Sequence, residues 1–282
     1  MAIFSNTASV SYNDITTNSN TVTGEILQSA TVTKNVLNST YGRGSTLVYA
    51  ISIVNPSDTA LNGVTVTDNL GGYTSDGATV YPLEYVNGTA KLFVNGVQAA
   101  APSVSGTAPI VFGPFDIPAD SSAILVYEAA VTDYAPIEAG SVITNSADIS
   151  GANCALPASA SASINVEQMP QLTVAKHICP DTVCGGGEIS YTVIIQNSGN
   201  RATVATDNLV VYDTFDPALS DITVTLDGAA LADTAYIYNS DTGVFSTIPG
   251  IVTVPAATYV REPDGRISVT PGYAVLKISG TI

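Results

Sequence analysis

The chain contains two copies of one strand pattern, and the two copies are cut at different points. An opening TVTK segment ends at Lys34, and its counterpart, TVAK, ends at Lys176. A Tyr-containing apolar run and a short run ending in Asp also recur, each roughly 140 residues after its first occurrence. Short alternating runs separated by Gly, Pro, Asn and Asp are typical of antiparallel sandwiches. The sequence therefore predicts an all-β protein with two tandem immunoglobulin-like β-sandwich domains.

The last strand of the pattern occupies a different place in each copy. The first copy closes with Val142–Ser150 (VITNSADIS), whereas the second stops at Ile282 with the run that precedes this strand. The matching segment, Ile3–Ser11 (IFSNTASVS), lies at the other end of the chain. We therefore predict an N-terminal donor strand and connector over 1–24, a complete domain over 25–166, and a domain over 167–282 that lacks its own last strand.

An unfinished sandwich exposes a hydrophobic groove and unpaired strand edges. Addition of a strand from another chain, called donor-strand complementation, satisfies both. We therefore expect the partner of this chain to be itself, in a homopolymer joined head to tail. The side chains predicted to enter the groove share one face of the donor strand: Phe4, Asn6, Ala8 and Val10.

Composition excludes several other functions. The formal net charge is −16 with only 8 Lys and Arg, which argues against binding to nucleic acid or to an anionic membrane. No apolar run approaches the roughly 20 residues of a membrane span, so membrane insertion is not expected. The N-terminal MAIFSNTASV lacks the regions of a secretory signal peptide. We expect a chain made without a signal, or a mature or cut fragment.

Side chains alternate along a strand with a period of two, and in each copy three strands place a single polar residue on an otherwise apolar face. Burial of an isolated charge is costly, and the cost falls when such groups meet. One interpretation is that the three polar residues of a copy meet inside the sandwich. The alternative is that each has a separate role: the Lys extends to water, the Asp lies in a turn and the Asn caps a strand edge. The candidate residues are Lys34, Asp68 and Asn145 in the first copy, and Lys176, Asp213 and Asn6 in the second.

These motifs resemble a repeat family of bacterial surface proteins known as domain of unknown function eleven. The family pattern has an opening Thr-Lys, a Tyr-Thr-Ile-x-Val-x-Asn strand, Val-Thr-Asp and a closing Asn-Thr-Ala. The resemblance implies a repeat of long cell-surface proteins without enzyme activity. The matching segments are Thr33–Lys34, Tyr49–Asn55, Val66–Asp68 and Asn145–Ala147 in the first copy, and Ala175–Lys176, Tyr191–Asn197, Val211–Asp213 and Asn6–Ala8 in the second.

The polar residues also resemble those of pilin and adhesin domains that form a Lys–Asn isopeptide bond. Burial lowers the pKa of a Lys and raises that of an Asp, which favours a neutral amine that can attack the Asn amide and release ammonia. The resemblance implies a bond between Lys34 and Asn145, with Asp68 as proton shuttle. It implies a second bond between Lys176 and Asn6 of the next chain, with Asp213 in the same role.

The cysteines leave several pairings open. Cys179 and Cys184 could close a small loop, or one of them could pair with Cys154 of a neighbouring chain. His177 lies beside them, but three Cys and one His make a poor zinc site. Loop carboxylates could bind Ca²⁺, although they lack EF-hand spacing. We predict no metal and no cofactor.

The function predicted is that of a structural subunit of an extracellular filament, pilus-like or spore-appendage-like, on a cell or spore surface. Apart from autocatalytic bond formation, we expect no enzyme activity, because no carboxylate pair suited to a hydrolase is identifiable. The alternative is a fragment of a surface adhesin whose loops bind glycan or a host protein. The sequence does not identify a surface receptor.

Overall fold

The computed structural model describes residues 2–26, 29–152 and 158–282, and these ranges consist mainly of β-strands. The chain divides into two compact units, Met1–Pro136 with Val142–Val166, and Ile137–Ser141 with Glu167–Ile282. Helical structure in the described ranges is limited to two short 3-10 turns, Ala205–Asp207 and Asp233–Ala235. The all-β class is therefore confirmed. The described residues include no helix with the length and apolar character needed to cross a bilayer.

The N-terminal strands form one long antiparallel hairpin. Asn13 and Asp14, with φ of 47° and 64°, make the two-residue turn at its tip, and positive φ at both central positions suits a hairpin turn. Phe4 is 57% exposed and Val10 is 70% exposed. The hairpin strands are β1 (Ala2–Asn6), β2 (Ser9–Tyr12), β3 (Ile15–Asn18) and β4 (Val22–Ile26), of which β1 pairs with β4 and β2 with β3.

The rest of the first unit is built on two six-stranded sheets. Its strands are β5 (Thr31–Val36), β6 (Thr40–Tyr41), β7 (Thr46–Asn55), β8 (Leu61–Asp68), β9 (Tyr73–Ser75), β10 (Ala78–Val80), β11 (Leu83–Tyr85), β12 (Lys91–Val94), β13 (Val97–Gln98), β14 (Val104–Ser105), β15 (Ile110–Ile117), β16 (Ser121–Val131), β17 (Val142–Ala152) and β18 (Ala158–Val166). One sheet has the order β13-β12-β16-β7-β5, with β11 also on β16, and the other has the order β14-β15-β8-β17-β18-β6. Strands β9 and β10 pair separately.

Alternating burial explains why the two sheets face each other. Along β7 every second side chain is buried, as expected for a strand with one face on the core. The rings of Phe112 on one sheet and Tyr127 on the other lie 4.9 Å apart between their centroids. Strand β18 packs against β5, so the edge of the first sheet is covered by the second.

The second unit repeats the first of these sheets and only part of the other. Its strands are β19 (Leu172–Cys179), β20 (Glu188–Asn197), β21 (Tyr212–Thr214), β22 (Ser220–Leu226), β23 (Ala229–Ala230), β24 (Tyr236–Asn239), β25 (Val244–Thr247), β26 (Thr258–Arg261), β27 (Ile267–Thr270) and β28 (Gly272–Thr281). The order β19-β20-β28-β22-β23 matches β5-β7-β16-β12-β13. The remaining sheet is β21-β25-β24, and β26 pairs with β27.

No counterpart of the β17–β18 hairpin is present among the strands of the second unit. In the first unit β8 lies between β15 and β17, whereas its equivalent, β21, pairs with β25 alone among the described strands. Every residue of β19 except Ile178 is exposed, although the equivalent β5 is partly covered. The second unit therefore has an open sheet edge and an uncovered strand face.

The exposed β1–β4 hairpin should exchange its backbone amides with solvent quickly in the isolated chain. A two-stranded hairpin with exposed side chains is marginally stable, whereas β7 and β16 lie in the middle of a sheet with a buried face. Hydrogen-exchange mass spectrometry should show early labelling of residues 2–26 and late labelling of 121–131. Equal protection of both segments in a monomer would contradict this expectation.

Candidate functional site

Three of the candidate residues, Lys34, Asp68 and Asn145, meet in the core of the first unit. Lys34 Nζ donates a hydrogen bond of 2.6 Å to Asp68 Oδ2, and both side chains are fully buried. Asn145 is also completely buried. Because Ala147 on β17 lies opposite Asp68 on β8, Asn145 falls two residues away on the same face. The strand register therefore brings the lysine, the carboxylate and the amide to one place.

A fourth polar residue, Tyr127, connects this group and is not among the residues predicted from the sequence. Its hydroxyl donates a short hydrogen bond to Asp68 Oδ2, the same oxygen that Lys34 contacts. The hydroxyl also accepts a hydrogen bond of 3.2 Å from Asn145 Nδ2. Tyrosine on a strand face is ordinarily a core residue, so alternation alone gives no signal for this role.

The turn after β8 supplies the remaining hydrogen bonds. Leu70 N donates to Asp68 Oδ1 at 2.9 Å. Gly71 N donates to Asn145 Oδ1 at 3.2 Å and shares this hydrogen with Asn69 Oδ1 at 3.0 Å. A backbone N–H needs an acceptor, so its position assigns the carbonyl oxygen of Asn145 to the Gly71 side and the amide nitrogen to the Tyr127 side.

Burial dominates the electrostatics of the site. It lowers the pKa of Lys34 to about 8, although the charge and hydrogen bond of Asp68 act in the opposite direction. Burial and the charge of Asp68 raise the pKa of both Tyr49 and Tyr127. Lys34 Nζ lies 5.1 Å from the centroid of the Tyr49 ring. The Tyr49 hydroxyl is buried and has no hydrogen-bond partner within the described residues.

This arrangement is suited to attack by an amine on an amide. A Lys pKa near 8 leaves part of the amine neutral at neutral pH, and neutral amines are nucleophiles. The adjacent Asp68 carboxylate can take up the proton of the ammonium. The side chains present can therefore exchange one amide bond for another without a metal or cofactor.

The second unit contains a partial copy of the site. Lys176 Nζ donates to Asp213 Oδ1 at 2.7 Å, and the side chains are 41% and 11% exposed, respectively. Asp213 Oδ2 is buried and has no hydrogen-bond partner in the described part of the chain. Lys176 Nζ also lies 4.7 Å from the ring centroid of Tyr191, the residue equivalent to Tyr49. The lysine and carboxylate are thus paired, but the position equivalent to Asn145 is not filled by this unit.

An apolar groove lies beside this partial site. It has a volume of about 270 Å³ and runs between β19 and the segment that leads into β21. Val174 in its wall is 70% exposed. The apolar lining consists mainly of Leu172, Val174, Ile195, Leu209 and Val211. The groove therefore coincides with the strand face and the sheet edge that are covered in the first unit.

The other candidate residues are distributed as follows. Phe4, Asn6, Ala8 and Val10 are exposed in the N-terminal hairpin of the first unit. Cys179 and Cys184 are free, exposed thiols, so the structure contains no disulfide between them. Cys154 lies outside the described residues, and its pairing stays a prediction. Groups of three or more residues able to bind a metal are absent from the ranges the structure describes.

Comparisons with known proteins give distant similarities to Gram-positive surface proteins. No family model and no curated protein matches the chain, so the resemblance to the repeat family stays a prediction. The pilus backbone of Streptococcus pneumoniae matches at 12% identity and a TM-score of 0.35, over 86% of this chain and 55% of that one. The chain thus spans about half the length of that pilin.

Two other solved structures give matches of the same kind. The major pilin of Bacillus cereus matches at 15% identity and a TM-score of 0.37, over 96% of this chain and 73% of that one. The collagen-binding subdomain of the surface protein ACE from Enterococcus faecalis matches at 9% identity and a TM-score of 0.32, over 49% of this chain and 99% of that one. Both pilins and adhesins are therefore among the distant structural matches.

The lowered pKa of Lys34 predicts a rise in stability with pH. The Asn145→Ala variant cannot form a Lys–Asn bond, so the effect can be measured on an uncrosslinked chain. An unfolded lysine titrates near 10.4, so between about pH 8 and that value the unfolded chain binds more protons than the folded one. The free energy of unfolding should rise by about 1–2 kcal/mol from pH 8 to 9.5, measured by urea unfolding.

The matched control carries Lys34→Met in the same Asn145→Ala background. It removes the titrating amine and keeps a side chain of similar length, so the rise should disappear. The buried tyrosines keep their protons in the folded chain, and unfolded tyrosines titrate near 10, so their small opposing contribution near pH 9.5 is the same in both chains and cancels in the comparison. A flat pH profile in the chain that retains Lys34 would contradict the lowered pKa.

Proposed function

We propose that this protein is a non-enzymatic structural subunit of an extracellular filament. In this proposal, the β1–β4 hairpin of one chain inserts into the groove of the second unit of the next chain. A Lys–Asn isopeptide bond within the first unit, and another between Lys176 and Asn6 of adjacent chains, then lock the assembly. The filament would be displayed on a cell or spore surface.

The observation that carries the proposal is the partial site in the second unit. Asp213 Oδ2 is a buried acceptor without a partner, and Lys176 is paired but 41% exposed beside an open apolar groove. Leaving a buried carboxylate oxygen unpaired costs free energy. In the first unit, Asp68 Oδ2 accepts from Lys34 and Tyr127, Asn145 bonds the same Tyr127 hydroxyl, and β18 packs on β5. A hairpin with an asparagine at the matching position would cover the groove and bring a side-chain N–H that can donate to Asp213 Oδ2 directly.

The N-terminal hairpin has the pairing that such a donor requires. In β17–β18, Ile143 lies opposite Ile164 and Asn145 opposite Ala162. In the N-terminal hairpin, Phe4 lies opposite Gly24 and Asn6 opposite Val22. The combined side-chain volume of Phe4 and Gly24 is similar to that of Ile143 and Ile164, because one large ring opposite glycine replaces two isoleucines. Docking in the same register would place Asn6 opposite the Lys176–Asp213 pair.

Burial supplies the driving force for this docking. The apolar side chains exposed in the separate parts would be covered together, and each contributes about 1.5–3 kcal/mol on full burial. Hydrogen bonds along the open edge of β21 would add to this. The side chains are Phe4 and Val10 on the hairpin, and Leu172 and Val174 in the groove.

Deletion of residues 1–12 should abolish filament formation while the first unit still folds. The deleted segment contains the whole donor strand but none of the buried core of the first unit. Negative-stain electron microscopy and sedimentation of the purified chain give the measurement. Full-length chain should form long fibres, and the truncated chain should stay monomeric. Fibres from the truncated chain would show that another segment joins the subunits, and a monomeric full-length chain would favour the adhesin alternative.

A pair of neighbouring substitutions gives a sharper test of the docking face. The counterpart of Phe4, Ile143, is 2% exposed, whereas the counterpart of Ile3, Val142, is 46% exposed. Phe4→Asp should therefore prevent assembly, since it would bury a charge, and Ile3→Asp should permit it. Both residues are exposed in the free chain, so neither change should disturb its fold. Equal assembly of the two variants would contradict this docking.

The link between subunits should resist boiling in detergent and reductant. Lys176→Ala and Asn6→Ala should each give fibres that fall to monomers under this treatment, whereas Lys277→Ala, which changes an exposed lysine of the same unit, should not. Peptide mass spectra should show a Lys176–Asn6 peptide with a loss of about 17 Da, the mass of ammonia. Ladders that persist in both variants would disprove the bond. A Lys176–Asn6 bond within a monomeric chain would disprove the filament.

A further inference from the structure

We infer that two groups outside the predicted triad, the Tyr127 hydroxyl and the Gly71 N–H, take part in bond formation in the first unit, and that the second unit reacts more slowly because it lacks this hydroxyl and the left-handed turn that directs the N–H. This inference rests on the proposed isopeptide chemistry. It implies an order of events in which each subunit closes its own bond before the link to its neighbour is made.

The position of the Tyr127 hydroxyl suits a proton donor to the leaving group. It lies between the carboxylate that receives the lysine proton and the nitrogen that must leave as ammonia, with hydrogen bonds to Asp68 Oδ2 and from Asn145 Nδ2. Its ring is held by stacking on Tyr49, with centroids 5.5 Å apart, and by Phe112 at 4.9 Å. Burial and the Asp68 charge raise the pKa of Tyr127, so the phenol keeps its proton.

The Gly71 N–H suits a donor to the oxygen that becomes negative. It lies 3.2 Å from Asn145 Oδ1, and a hydrogen bond to an ionised acceptor is stronger than one to a neutral acceptor. Leu70 and Gly71 have φ of 50° and 68°, and this left-handed turn directs the Leu70 N–H at Asp68 and the Gly71 N–H at Asn145. A Cβ on residue 71 would come within 2.9 Å of Ile143 Cγ2, so only glycine fits.

The reaction balances with these groups alone. The Lys34 ammonium gives one proton to Asp68, and the neutral amine attacks the Asn145 Cγ while Gly71 N–H stabilises the oxyanion. Asp68 passes this proton to the Tyr127 oxygen as Tyr127 gives its own to Nδ2. The attacking nitrogen then gives its second proton to the freed Asp68 carboxylate, the Cγ–Nδ2 bond breaks and ammonia leaves. The products are the Lys34–Asn145 amide, ammonia, a restored phenol and protonated Asp68.

The second unit differs at both positions. Ile278 lies opposite Tyr191 on the paired strand, in the place that Tyr127 occupies opposite Tyr49. In place of the Leu70–Gly71 turn, the second unit has Phe215 and Asp216, neither of which has a positive φ, and Phe215 N donates to Gly243 O at 2.9 Å. Asp213 Oδ1 accepts from Thr214 N, and its Oδ2 has no partner in the described residues. The donor hairpin supplies the amide but neither of the two missing groups.

Rates of bond formation at the two sites test the inference. Wild-type chain purified unfolded in urea is diluted to start folding, samples are quenched in acid, and the Lys34–Asn145 and Lys176–Asn6 peptides are quantified by mass spectrometry. For the Lys176–Asn6 bond, time zero is the point at which the hairpin of one chain has docked on the second unit of the next. General acids and oxyanion donors each contribute about 10²-fold or more. The Lys34–Asn145 bond should therefore form at least about 10²-fold faster than the Lys176–Asn6 bond.

Tyr127→Phe keeps the ring and removes the hydroxyl. It should slow the Lys34–Asn145 bond about 10²-fold and leave the rate of the Lys176–Asn6 bond unchanged. The matched control is Tyr85→Phe. It removes a hydroxyl from the neighbouring ring of the same core, and that hydroxyl accepts a hydrogen bond from Ala90 N and does not contact Asp68 or Asn145 in the part of the chain the structure describes. This control should keep the wild-type rate. Difluorotyrosine at position 127 keeps the hydroxyl but is a stronger acid, and it should accelerate the bond, an effect that a purely structural role would not produce.

The outcomes separate the inference from the proposed function. If wild-type chain never yields a Lys34–Asn145 peptide, the isopeptide chemistry itself is wrong. If the bond forms in wild type and Tyr127→Phe reacts at the same rate, the chemistry stands and the role of Tyr127 is wrong. A rate unchanged by difluorotyrosine also overturns the role of Tyr127. Equal rates at the two sites of the wild type would overturn the order of events.

Discussion

The buried pair of Lys34 and Asp68 is the constraint on which the first unit depends. Two charges removed from water cost several kcal/mol each unless partners surround them. Here the partners come from separate strands and from the turn after β8. Besides Lys34, the Tyr127 hydroxyl and the Leu70 N–H donate hydrogen bonds to the Asp68 carboxylate. A one-residue slip of any of these strands would move its polar side chain to the outer face of the sheet and leave the partner buried and unpaired. The aliphatic core stabilises the sandwich, and the ion pair selects its register.

Much of this site could be predicted from the sequence because a single polar residue on an apolar strand face must find partners inside. Lys34, Asp68 and Asn145 are predicted in this way, and the structure brings them together. Tyr127 is not predicted, because a tyrosine on a buried face packs well whether or not its hydroxyl is used. Gly71 is not predicted either, because its contribution is a backbone N–H in a turn, and the sequence signals that turn only by the glycines at 71 and 72.

The repeated pattern predicted a repeated strand order, and the larger sheet of the second unit follows that of the first. The hairpin formed by the N-terminal segment was not predicted from the sequence, since its polar alternating runs were interpreted as one strand and a connector. The signal for a hairpin was the Asn13–Asp14 pair between two such runs. The similar Lys motifs of the two copies also did not predict that the two lysines differ in burial. Lys34 is fully buried and Lys176 is not, because covering strands come from elsewhere in the fold.

The placement of the site in the chain has a mechanical consequence. Lys34 lies in β5, near the beginning of the first unit, and Asn145 lies in β17, near its end. A covalent bond between these two side chains would carry tension directly from one strand to the other. The residues between them would form a loop outside the path of the load. Pulling on such a subunit could not extend residues 35–144, so most of the first unit would be inextensible under a force that unfolds an ordinary sandwich.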